Sequence, residues 1–520
     1  MSPSSQHSRV QTQTSQASLP LALYSADGVR NLDRYLIDQQ GISGFQLMQS
    51  AARSAFHYLL KRWPQARTVL VLCGAGNNAG DGYLLAKFAV QHGLEVKCLA
   101  LTEPSRLQGD ARTAWQQASA QQLQISLATQ LTDTELAAWL QHADVTVDAM
   151  LGTGLQGAAR DPFAQVIALC NQSARRVLAL DVPSGLNASS GAAVGEVVRA
   201  DATVTFIGLK AGLLTGQGPA VCGELLFEDL GTAAQLKKCS EPLLATRADW
   251  HSCSVLMPRR VANAHKGHFG HILVVAGDHG FGGAALLVAE AAARSGAGLV
   301  SLATRPEHVT AALSRCPSVM SHGVMQGSEL APLLAAATII VCGPGLGQGA
   351  WGRQMLQQVL SSNKPQVLDA DALNLMAGEV SMAAEQRILT PHPGEAARLL
   401  GVSVADIEAD RLSAAAQLQS QYGGSIVLKG AGTVIAGVSG QLSLVSGSNP
   451  GMACGGMGDV LAGILAGLWG QIADPEQVAI SAVALHLAAA NRAAEQFGFM
   501  SLQPTDLINS LPKVLADAGL

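Results

Sequence analysis

Charge is scarce in this 520-residue chain: lysine, arginine, aspartate and glutamate make up 14% of the residues, and the formal net charge is -5. Lysine and arginine never form a run, so the sequence offers no electrostatic footprint for nucleic acid, and we expect small-molecule partners. Aromatic residues account for only 4% of the chain, whereas hydrophobic residues account for 48%. Much of that content is alanine, leucine and valine, which favours α/β layers over an all-β sandwich.

Paired cysteines are also lacking. The nine cysteines are scattered, odd in number and never spaced as CxxC. This pattern is typical of reduced thiols in a cytoplasmic protein and argues against a disulfide framework. They are Cys73, Cys98, Cys170, Cys222, Cys239, Cys253, Cys316, Cys342 and Cys454.

The sequence shows no sign of a membrane segment. Its first 18 residues are rich in serine and glutamine and lack the apolar centre of a signal peptide, so we expect a disordered tail over residues 1–22. The most apolar long stretch, residues 282–303, is interrupted by Glu290 and Arg294, two charges that a bilayer would penalise. We expect a buried helix followed by a strand there.

Two α/β domains are predicted from the length and from the alternation of short apolar strands with helical stretches. The first covers residues 23–236, an irregular polar linker covers 237–250, and the second covers 251–520. The near-continuous apolar strands of the first domain predict a doubly wound parallel sheet that is covered on both faces. The predicted strands are 69–73, 95–101, 144–150, 176–181 and 202–209 in the first domain, and 271–278, 298–304, 338–345, 366–371, 387–393 and 425–436 in the second.

Polar residues that follow the strands are the candidate site residues, because open α/β sheets bind ligands at the carboxyl ends of their strands. GAGNNAGDG at 74–82 satisfies the G-x-G-x-x-G/A pattern of a phosphate-binding turn, although its acid and asparagines fit a plain dinucleotide turn poorly. We expect the helix that follows to begin near Asp81. Asp148 and Asp181 end two further strands and precede loops with glycine or proline. Each loop alone could be a structural turn; three at one sheet edge indicate a site.

Together, four motifs of the first domain resemble the NAD(P)HX epimerase family: NNAGDGY, DAMLGTGL, LDVPSGL and GLKAGLLTGQG. The resemblance covers nearly the whole domain. It implies a Rossmann-like fold that interconverts the R and S hydrates of NADH and NADPH, damaged forms with a hydroxyl group on the nicotinamide ring. It also implies that Asp181 contacts the nicotinamide end and acts as the acid or base. Ala79 stands where the family usually has glycine, and would be strained only at a left-handed position.

The same resemblance implies two sets of ligand contacts in the first domain. A potassium ion, which suits hard oxygen ligands, would bind to Asn78, Asp148 and Ser184. The hydrated dinucleotide would contact Asn77, Asn78, Ala79, Gly80, Asp81, Gly152, Thr153, Gly154, Leu155, Gln156, Gly157, Ala158 and Asp181.

In the second domain, GSNPGMACGGMGDVLAGILAG at 447–467 places a run of glycines before a strongly apolar helix, with Asp459 near its start. Exposed amides at such a helix N-terminus can hold a transferring phosphoryl group. An aspartate there can accept the proton of an attacking hydroxyl group. Aspartate is also a common helix N-cap, but the glycine run favours the chemical role.

Six motifs of the second domain resemble the ribokinase-like ADP/ATP-dependent NAD(P)HX dehydratases: KGHFGHILVVAGD, CGPGLG, DADALN, LTPHPGEAARLL, LKGAGTVI and NPGMACGGMGD. The resemblance implies that the S hydrate is converted back to NAD(P)H at the expense of ADP or ATP, with Asp459 catalytic and Mg²⁺ bridging the nucleotide phosphates. The hydrated nucleotide would contact Ala284, Gly345, His392 and Asp459. The adenine nucleotide would contact Lys429, Gly430, Ala431, Gly432, Thr433 and Gly458. The fused chain would be a bifunctional repair enzyme, which we expect to be a homo-oligomer.

Two histidine features have plainer interpretations. His392 lies between two prolines and could be a helix-entry residue without chemistry. His265, His268 and His271 are spaced as HxxHxxH, but a loop that enters a strand does not bring such side chains together as a helical i, i+4 pair does. Ordinary polar loop histidines are therefore favoured over a zinc site.

Three other functions share part of the pattern. A kinase for a small alcohol or vitamin would also use GGMGD, and its phosphorylated product would accumulate. A non-catalytic dinucleotide sensor would have no need of both Asp181 and Asp459. An NAD-linked dehydrogenase would need catalytic residues for which no motif is visible.

Overall fold

The computed structural model describes residues 19–121, 123–155, 157–377 and 383–520. The chain divides into two compact units, Met1–Ala245 and Thr246–Leu520. Most of the predicted tail, residues 1–18, and Gln156 of the first predicted site lie outside the described residues. No helix among the described residues is both long and apolar enough to cross a membrane.

The first unit alternates strands and helices. Its strands are β1 (Ala22–Tyr24), β2 (Thr68–Cys73), β3 (Glu95–Ala100), β4 (Gln124–Leu127), β5 (Val145–Ala149), β6 (Val177–Leu180), β7 (Ala202–Phe206), β8 (Leu209–Lys210) and β9 (Glu224–Glu228). Its helices are α1 (Ala26–Asp38), α2 (Gly44–Arg62), α3 (Asn77–Gln91), α4 (Gly109–Ser119), α5 (Asp133–His142), α6 (Phe163–Ser173), α7 (Gly218–Val221) and α8 (Ala233–Leu236).

Seven of these strands form a parallel sheet in the order β4-β3-β2-β5-β6-β7-β9. The predicted doubly wound parallel sheet is thereby confirmed. Both faces are covered: Val69 and Val71 pack with side chains of α2 and α3, while Leu70 and Leu72 pack with α5 and α6. Successive side chains of a strand point to opposite faces, so a strand covered on both sides needs apolar residues throughout.

The strand order reverses between β2 and β5. From β2 the chain winds outward through β3 and β4, and from β5 it winds the other way through β6, β7 and β9. Such a reversal opens a crevice at the carboxyl ends of the two central strands, where open α/β sheets bind ligands. The loops after β2 and β5 contain GAGNNAGDG and LGTGL.

The second unit is also α/β. Its strands are β10 (Ala245–Ala248), β11 (His271–Val275), β12 (Leu299–Thr304), β13 (Met320–Gly323), β14 (Ile339–Cys342), β15 (Gln366–Leu368), β16 (Arg387–Leu389), β17 (Ser425–Leu428), β18 (Thr433–Ala436) and β19 (Leu442–Val445). Its helices are α9 (Trp250–Ser254), α10 (Gly282–Arg294), α11 (Val309–Arg315), α12 (Ala331–Ala336), α13 (Ala350–Leu360), α14 (Asp371–Met376), α15 (Pro393–Leu400), α16 (Val404–Ala409), α17 (Arg411–Tyr422), α18 (Met457–Trp469), α19 (Pro475–Phe497) and α20 (Pro504–Asp517).

The sheet of the second unit has the order β13-β12-β11-β14-β15-β16-β17-β18-β19-β10. The strands from β13 to β17 are parallel, whereas β18 runs antiparallel to both β17 and β19. This order also reverses, between β11 and β14. Helix α18, which is buried along nearly its whole length, packs with α10 in the main core of this unit.

Several predicted boundaries differ from the structure. The predicted strand 425–436 is two antiparallel strands, because Gly430 and Gly432 have φ values of +151° and +64° and turn the chain between them. The predicted strand 202–209 is interrupted at Ile207, which has a φ of +66°. Helix α3 begins at Asn77, four residues before the predicted start. Strand β1 begins at the last residue of the predicted tail, and strand β10 lies within the predicted linker.

Candidate active sites

A cavity of about 540 Å³ lies at the crevice of the first sheet. Eight residues predicted to contact the dinucleotide line it: Asn77, Asn78, Asp81, Gly152, Thr153, Gly154, Leu155 and Asp181. Ala79 and Gly80 are instead buried in the interior of α3, where the methyl group of Ala79 is compatible with the helical backbone. Gly157 and Ala158 are not among the lining residues.

Asp181 and Lys210 form an ion pair at the wall of this cavity. The Lys210 side chain is only 1% exposed, and its ammonium group donates to Asp181 Oδ1, to Thr205 Oγ1 at 3.0 Å and to the carbonyl oxygen of Phe206 at 3.1 Å. Asp181 has a φ of +66°, an uncommon conformation outside glycine that the ion pair helps to hold. Sequence reasoning did not assign a role to Lys210, although this lysine directly follows a predicted strand and belongs to the motif GLKAGLLTGQG.

Two further carboxyl groups, those of Asp33 and Asp81, line the same cavity. Burial raises the pKa of Asp33 to about 6, with Lys210 opposing the rise and Asp181 adding to it. Burial raises the pKa of Asp81 well above its usual value, and the nearby Asp181 and Asp33 raise it further. Asp33, on α1, was missed because nothing in the sequence around it marks a site.

Asn78, which lines the cavity, is linked to Ser184 and Asp148 through the carbonyl oxygen of Leu151. Ser184 donates its backbone N–H to Asp148 Oδ2 at 2.8 Å and its hydroxyl to Asp148 Oδ1 at 2.6 Å. Asn78 Nδ2 donates to the carbonyl oxygen of Leu151 at 3.1 Å, whereas the buried Asn78 Oδ1 has no hydrogen-bond partner among the described residues. Burial raises the pKa of Asp148 to about 6, although hydrogen bonds from Ser184 and Met150 oppose the rise.

In the second unit, the ammonium group of Lys429 faces three carboxyl groups. It lies 2.7 Å from Asp369 Oδ1 and 3.8 Å from Glu395 Oε2, and Asp459 is close enough to interact with its charge. Burial raises the pKa of Asp459 to about 6, Asp369 raises it further, and Lys429 opposes the rise. Burial likewise raises the pKa of Glu395 to about 7, with Lys429 opposing the rise. Asp369 and Glu395 lie in the motifs DADALN and TPHPGE but were not selected from the sequence.

Asp459 is not the N-cap of α18. That position is held by Gly456, which has a φ of +94°, and Asp459 is the third residue of the helix. The alternative interpretation of Asp459 as an ordinary cap is therefore excluded. Gly458 adjoins the charged cluster: a Cβ atom on it would lie 3.4 Å from Lys429 Nζ and 3.5 Å from Asp369 Oδ2.

His392 has a structural role at the start of α15. Its Nδ1 accepts hydrogen bonds from the backbone N–H groups of Gly394 at 3.0 Å and Glu395 at 3.3 Å. In return, Glu395 Oε2 accepts the backbone N–H of His392 at 2.8 Å, which completes a capping box. Burial lowers the pKa of His392, and Lys429 lowers it further. His392 is thus a helix-entry residue, as the plainer interpretation proposed, and it also adjoins the Lys429 cluster.

The remaining predicted residues of the second unit lie in two places. A Cβ atom on Gly345, in the loop after β14, would lie 3.3 Å from Cβ of Ala284 near the start of α10, so these two residues adjoin. Residues 429–432, including Ala431, form the turn between β17 and β18, and Thr433 is the first residue of β18. The buried guanidinium of Arg411 supports this turn by donating to the carbonyl oxygens of Leu428 at 3.2 Å and Lys429 at 3.0 Å.

The three spaced histidines do not converge on one point. The rings of His265 and His268 are in contact, with their centroids 3.7 Å apart and their planes tilted by 36°. His271 lies in β11, where its Nε2 is 2.8 Å from Ser301 Oγ. These contacts belong to an ordinary loop and the strand that follows it.

Sequence families match both units. The family described as "YjeF-related protein N-terminus" matches residues 44–212, and the family described as NAD(P)H-hydrate dehydratase matches residues 272–513. The bifunctional NAD(P)H-hydrate repair enzyme Nnr of Coxiella burnetii is 45% identical over 490 residues, which cover 94% of this chain and 98% of that protein. The Escherichia coli protein of the same name is 42% identical over 505 residues, covering 96% of this chain and 95% of that one.

Solved structures are similar to about half of the chain. The match to a ribokinase-like superfamily protein of Enterococcus faecalis covers 52% of this chain and 95% of that chain, with 31% identity and a TM-score of 0.48. A second match is the ADP/ATP-dependent NAD(P)H-hydrate dehydratase of Bacillus subtilis, co-crystallised with ATP and Mg²⁺. It covers 52% of this chain and 98% of that chain, with 31% identity and a TM-score of 0.47. Identity with the full-length relatives over nearly the whole chain decides the assignment. The chain belongs to the family of bifunctional NAD(P)H-hydrate repair enzymes.

Proposed function

We propose that the first unit interconverts the R and S hydrates of NADH and NADPH, and that the second unit dehydrates the S hydrate to NAD(P)H at the expense of ADP or ATP. One observation supports both halves of this proposal. In each unit a lysine and several carboxyl groups meet at the carboxyl edge of the sheet, around Asp181 in the first and Asp459 in the second. Proton-transfer catalysis commonly uses acid and base groups whose surroundings shift their pKa values.

In the first unit, Asp181 is placed to act on the nicotinamide ring. Both hydrogen bonds that its side chain accepts go to Oδ1, from Lys210 and from Thr205 at 3.3 Å, so among the described residues Oδ2 remains for the ligand. The cavity of about 540 Å³ beside it is of the size that ligand pockets usually have. The backbone N–H groups at the start of α3 would hold a phosphate group of the dinucleotide.

A potassium ion fits the first unit. The donor set of Asn78, Asp148 and Ser184 consists of oxygen atoms, as alkali cations require, and the unpartnered Asn78 Oδ1 is buried next to it. Asp148 is fully buried, and no lysine, arginine or histidine of the described residues pairs with it. A bound cation would offset that buried charge and fix the loop after β5 beside the cavity.

In the second unit, Asp459 would accept the proton of the ring hydroxyl as that oxygen attacks the terminal phosphate of the nucleotide. The backbone N–H groups at the start of α18 would stabilise the negative charge of the phosphoryl group in transfer. Loss of phosphate from the ring carbon that bore the hydroxyl, together with a proton from the adjacent ring carbon, then forms the double bond that restores the dihydronicotinamide. The segment Lys429–Thr433 and Gly458 would hold the nucleotide, and Ala284, Gly345 and His392 the hydrate.

Mg²⁺ also fits the second unit. Asp369 and Glu395 present carboxylate oxygens, which Mg²⁺ prefers, and would hold it together with phosphate oxygens. No group of three or more histidine, cysteine, aspartate or glutamate side chains in the described residues could hold a metal ion alone. The nucleotide would therefore complete the coordination, and the ion would offset the charge of its phosphates.

The test is recovery of dihydronicotinamide absorbance from hydrated NADH mixed with the protein, Mg²⁺ and either ADP or ATP. We expect full recovery from a mixture of R and S hydrates, and none when the nucleotide is omitted. A protein that gave no recovery with either nucleotide would contradict the dehydratase assignment. Accumulation of a stable phosphorylated product would instead favour a kinase for a small alcohol. The cytoplasmic location and the self-association that the sequence suggests stay predictions.

A further inference from the structure

Inversion at the hydroxyl-bearing carbon of the hydrated ring calls for an acid as well as a base. That carbon is bonded both to the hydroxyl oxygen and to the ring nitrogen, so it can invert by opening and closing the carbon–nitrogen bond. Opening turns the hydroxyl into a carbonyl and leaves the nitrogen with a hydrogen. One group must take the hydroxyl proton and another must give a proton to the nitrogen. This reasoning rests on the proposed epimerase function.

Lys210 cannot be the proton donor. All three of its N–H bonds are used, by Asp181 Oδ1, Thr205 Oγ1 and the carbonyl oxygen of Phe206, and the side chain is 1% exposed. It is a positioning residue, because its ion pair and hydrogen bond with Asp181 fix that side chain against the cavity. The acid has to come from another element.

Three carboxyl groups at this cavity interact with the positive charge of Lys210. Besides Asp181, which follows β6, Asp33 lies on α1 and Asp81 on α3, and each interacts with Lys210 and with Asp181 through space. Carboxylates packed around one ammonium repel each other, so the cluster retains a proton. None of the hydrogen bonds of Lys210 reaches Asp33 or Asp81. The retained proton is therefore held by Asp33 or Asp81.

We propose that Asp33 is the general acid of the epimerase and that Asp181 is its general base. As the carbon–nitrogen bond breaks, Asp181 takes the hydroxyl proton and Asp33 protonates the ring nitrogen, which gives an open-chain aldehyde. Rotation about the bond next to the aldehyde carbon presents its other face. The nitrogen then attacks, returns its proton to Asp33, and the oxygen regains a proton from Asp181. The step is an isomerisation that consumes no other reactant.

Asp33 suits this role better than Asp81. Burial raises the pKa of Asp33 to about 6, near enough to neutrality for a proton to be given and regained. Burial, Asp181 and Asp33 raise the pKa of Asp81 well above its usual value, and Asp81 lies in α3, whose first backbone N–H groups are proposed to hold a phosphate group and not the ring. The charged groups around the cavity are Arg30 and Asp33 of α1, Asp81 of α3, Asp110 of α4, Asp181 and Lys210. Arg30 pairs with Asp27 on its own helix.

The test follows the R and S hydrates by chromatography without nucleotide, so that dehydration cannot contribute. We expect Asp33→Asn to lower kcat by roughly 10²–10⁴, the usual worth of a positioned acid. Its KM should stay within about threefold of the native value, since the amide keeps the shape of the carboxyl group. The native rate should fall on the alkaline side of its pH profile, and Asp33→Asn should lose that fall. Asp81→Asn should keep it. Asp38→Asn, an exposed change at the end of the same helix, is the matched control with native kinetics.

Three results would overturn the assignment: Asp33→Asn with more than a tenth of native kcat, an alkaline fall that persists in Asp33→Asn, or one that disappears in Asp81→Asn instead. If Asp33→Asn does not fold, the native enzyme still decides, because a native profile without an alkaline fall excludes an acid of this kind. A native protein that interconverts neither hydrate would refute the epimerase function itself. Native activity with an unaffected Asp33→Asn would refute only the role of Asp33.

Discussion

Gly74 lies against the backbone of Met150, so that the loop after β2 touches the loop after β5. A Cβ atom on Gly74 would lie 2.8 Å from the carbonyl carbon of Met150 and would overlap its carbonyl oxygen. The N–H of Gly74 donates to the carbonyl oxygen of Ala149 at 3.1 Å. This contact joins the two sides of the crevice at the point where the strand order reverses.

Gly74→Ala should therefore push the two loops apart. We expect a loss of about 1–3 kcal/mol in the stability of the first unit, the usual cost of overpacking, and a loss of most epimerase activity. Gly76→Ala is the matched control for stability, because a Cβ atom there would meet nothing within 4 Å and its φ is -111°. Thermal melting of both variants and the epimerase rate of Gly74→Ala check this. Equal behaviour of the two variants would show that the contact is unimportant.

Potassium dependence should be lost when Asp148 becomes asparagine. The native epimerase should be faster in potassium chloride than in lithium chloride at equal ionic strength, because the smaller ion fits the oxygen set poorly. Asp148→Asn should have similar rates in both salts and a melting temperature within a few degrees of native, since the amide can retain part of the hydrogen bonding to Ser184. A native rate that does not respond to potassium would remove the reason for assigning this site.

His486 should make the second unit sensitive to acid. Its side chain lies buried in α19, with Nε2 lacking a partner among the described residues, and burial lowers its pKa from 6.5 to about 4. The folded state thus favours the neutral ring, so this contribution to stability is complete above pH 6.5 and is lost as the pH falls towards 4. At pH 5 the loss is about 2 kcal/mol.

Replacing His486 with glutamine removes a group that must be kept neutral. The difference in melting temperature between pH 7 and pH 5 should therefore be smaller in His486→Gln than in the native protein. His251→Gln, which changes an exposed histidine of the same unit, should keep the native difference. An unchanged difference in His486→Gln would contradict the linkage.

Asp459→Asn should separate chemistry from folding. Dehydration should slow by roughly 10²–10⁴, because asparagine cannot accept the hydroxyl proton. The melting temperature should change little, since the helix N-cap is Gly456 and not Asp459. ADP affinity, measured by calorimetry, should stay the same or rise slightly, because one negative charge near the phosphates is removed. Near-native turnover would show that Asp459 is not the base.

The sequence predicted the sheets and the loops at their carboxyl edges because both depend on local signals. Apolar runs mark doubly covered strands, and the loops around Asp148, Asp181 and Asp459 carry glycine or proline next to an acid. The same reasoning missed β4, β9 and β13, whose partly exposed residues do not form apolar runs.

The ion pairs beside Asp181 and Asp459, the proposed catalytic aspartates, were harder to predict. Lys210 meets Asp181 across 29 positions, and Lys429 meets Asp369 across 60, so each pair exists only once the sheet is assembled. Asp33 reaches the first cavity from α1, ahead of the residues that the family pattern covers. An ion pair between distant segments has no local pattern in the sequence. Glycine turns and buried strands do have such patterns.

The central claim is that one chain carries two separate active sites, one at Asp181 and one at Asp459. The most direct measurement follows NAD(P)H recovery from a mixture of R and S hydrates with ADP and Mg²⁺. The enzyme is Asp181→Asn alone, Asp459→Asn alone, or a mixture of these two variant proteins. Asp181→Asn should consume only the S hydrate rapidly, Asp459→Asn should interconvert the hydrates without producing NAD(P)H, and the mixture of variants should restore full recovery. Loss of both activities in either single variant, or no restoration by mixing, would contradict two separate sites.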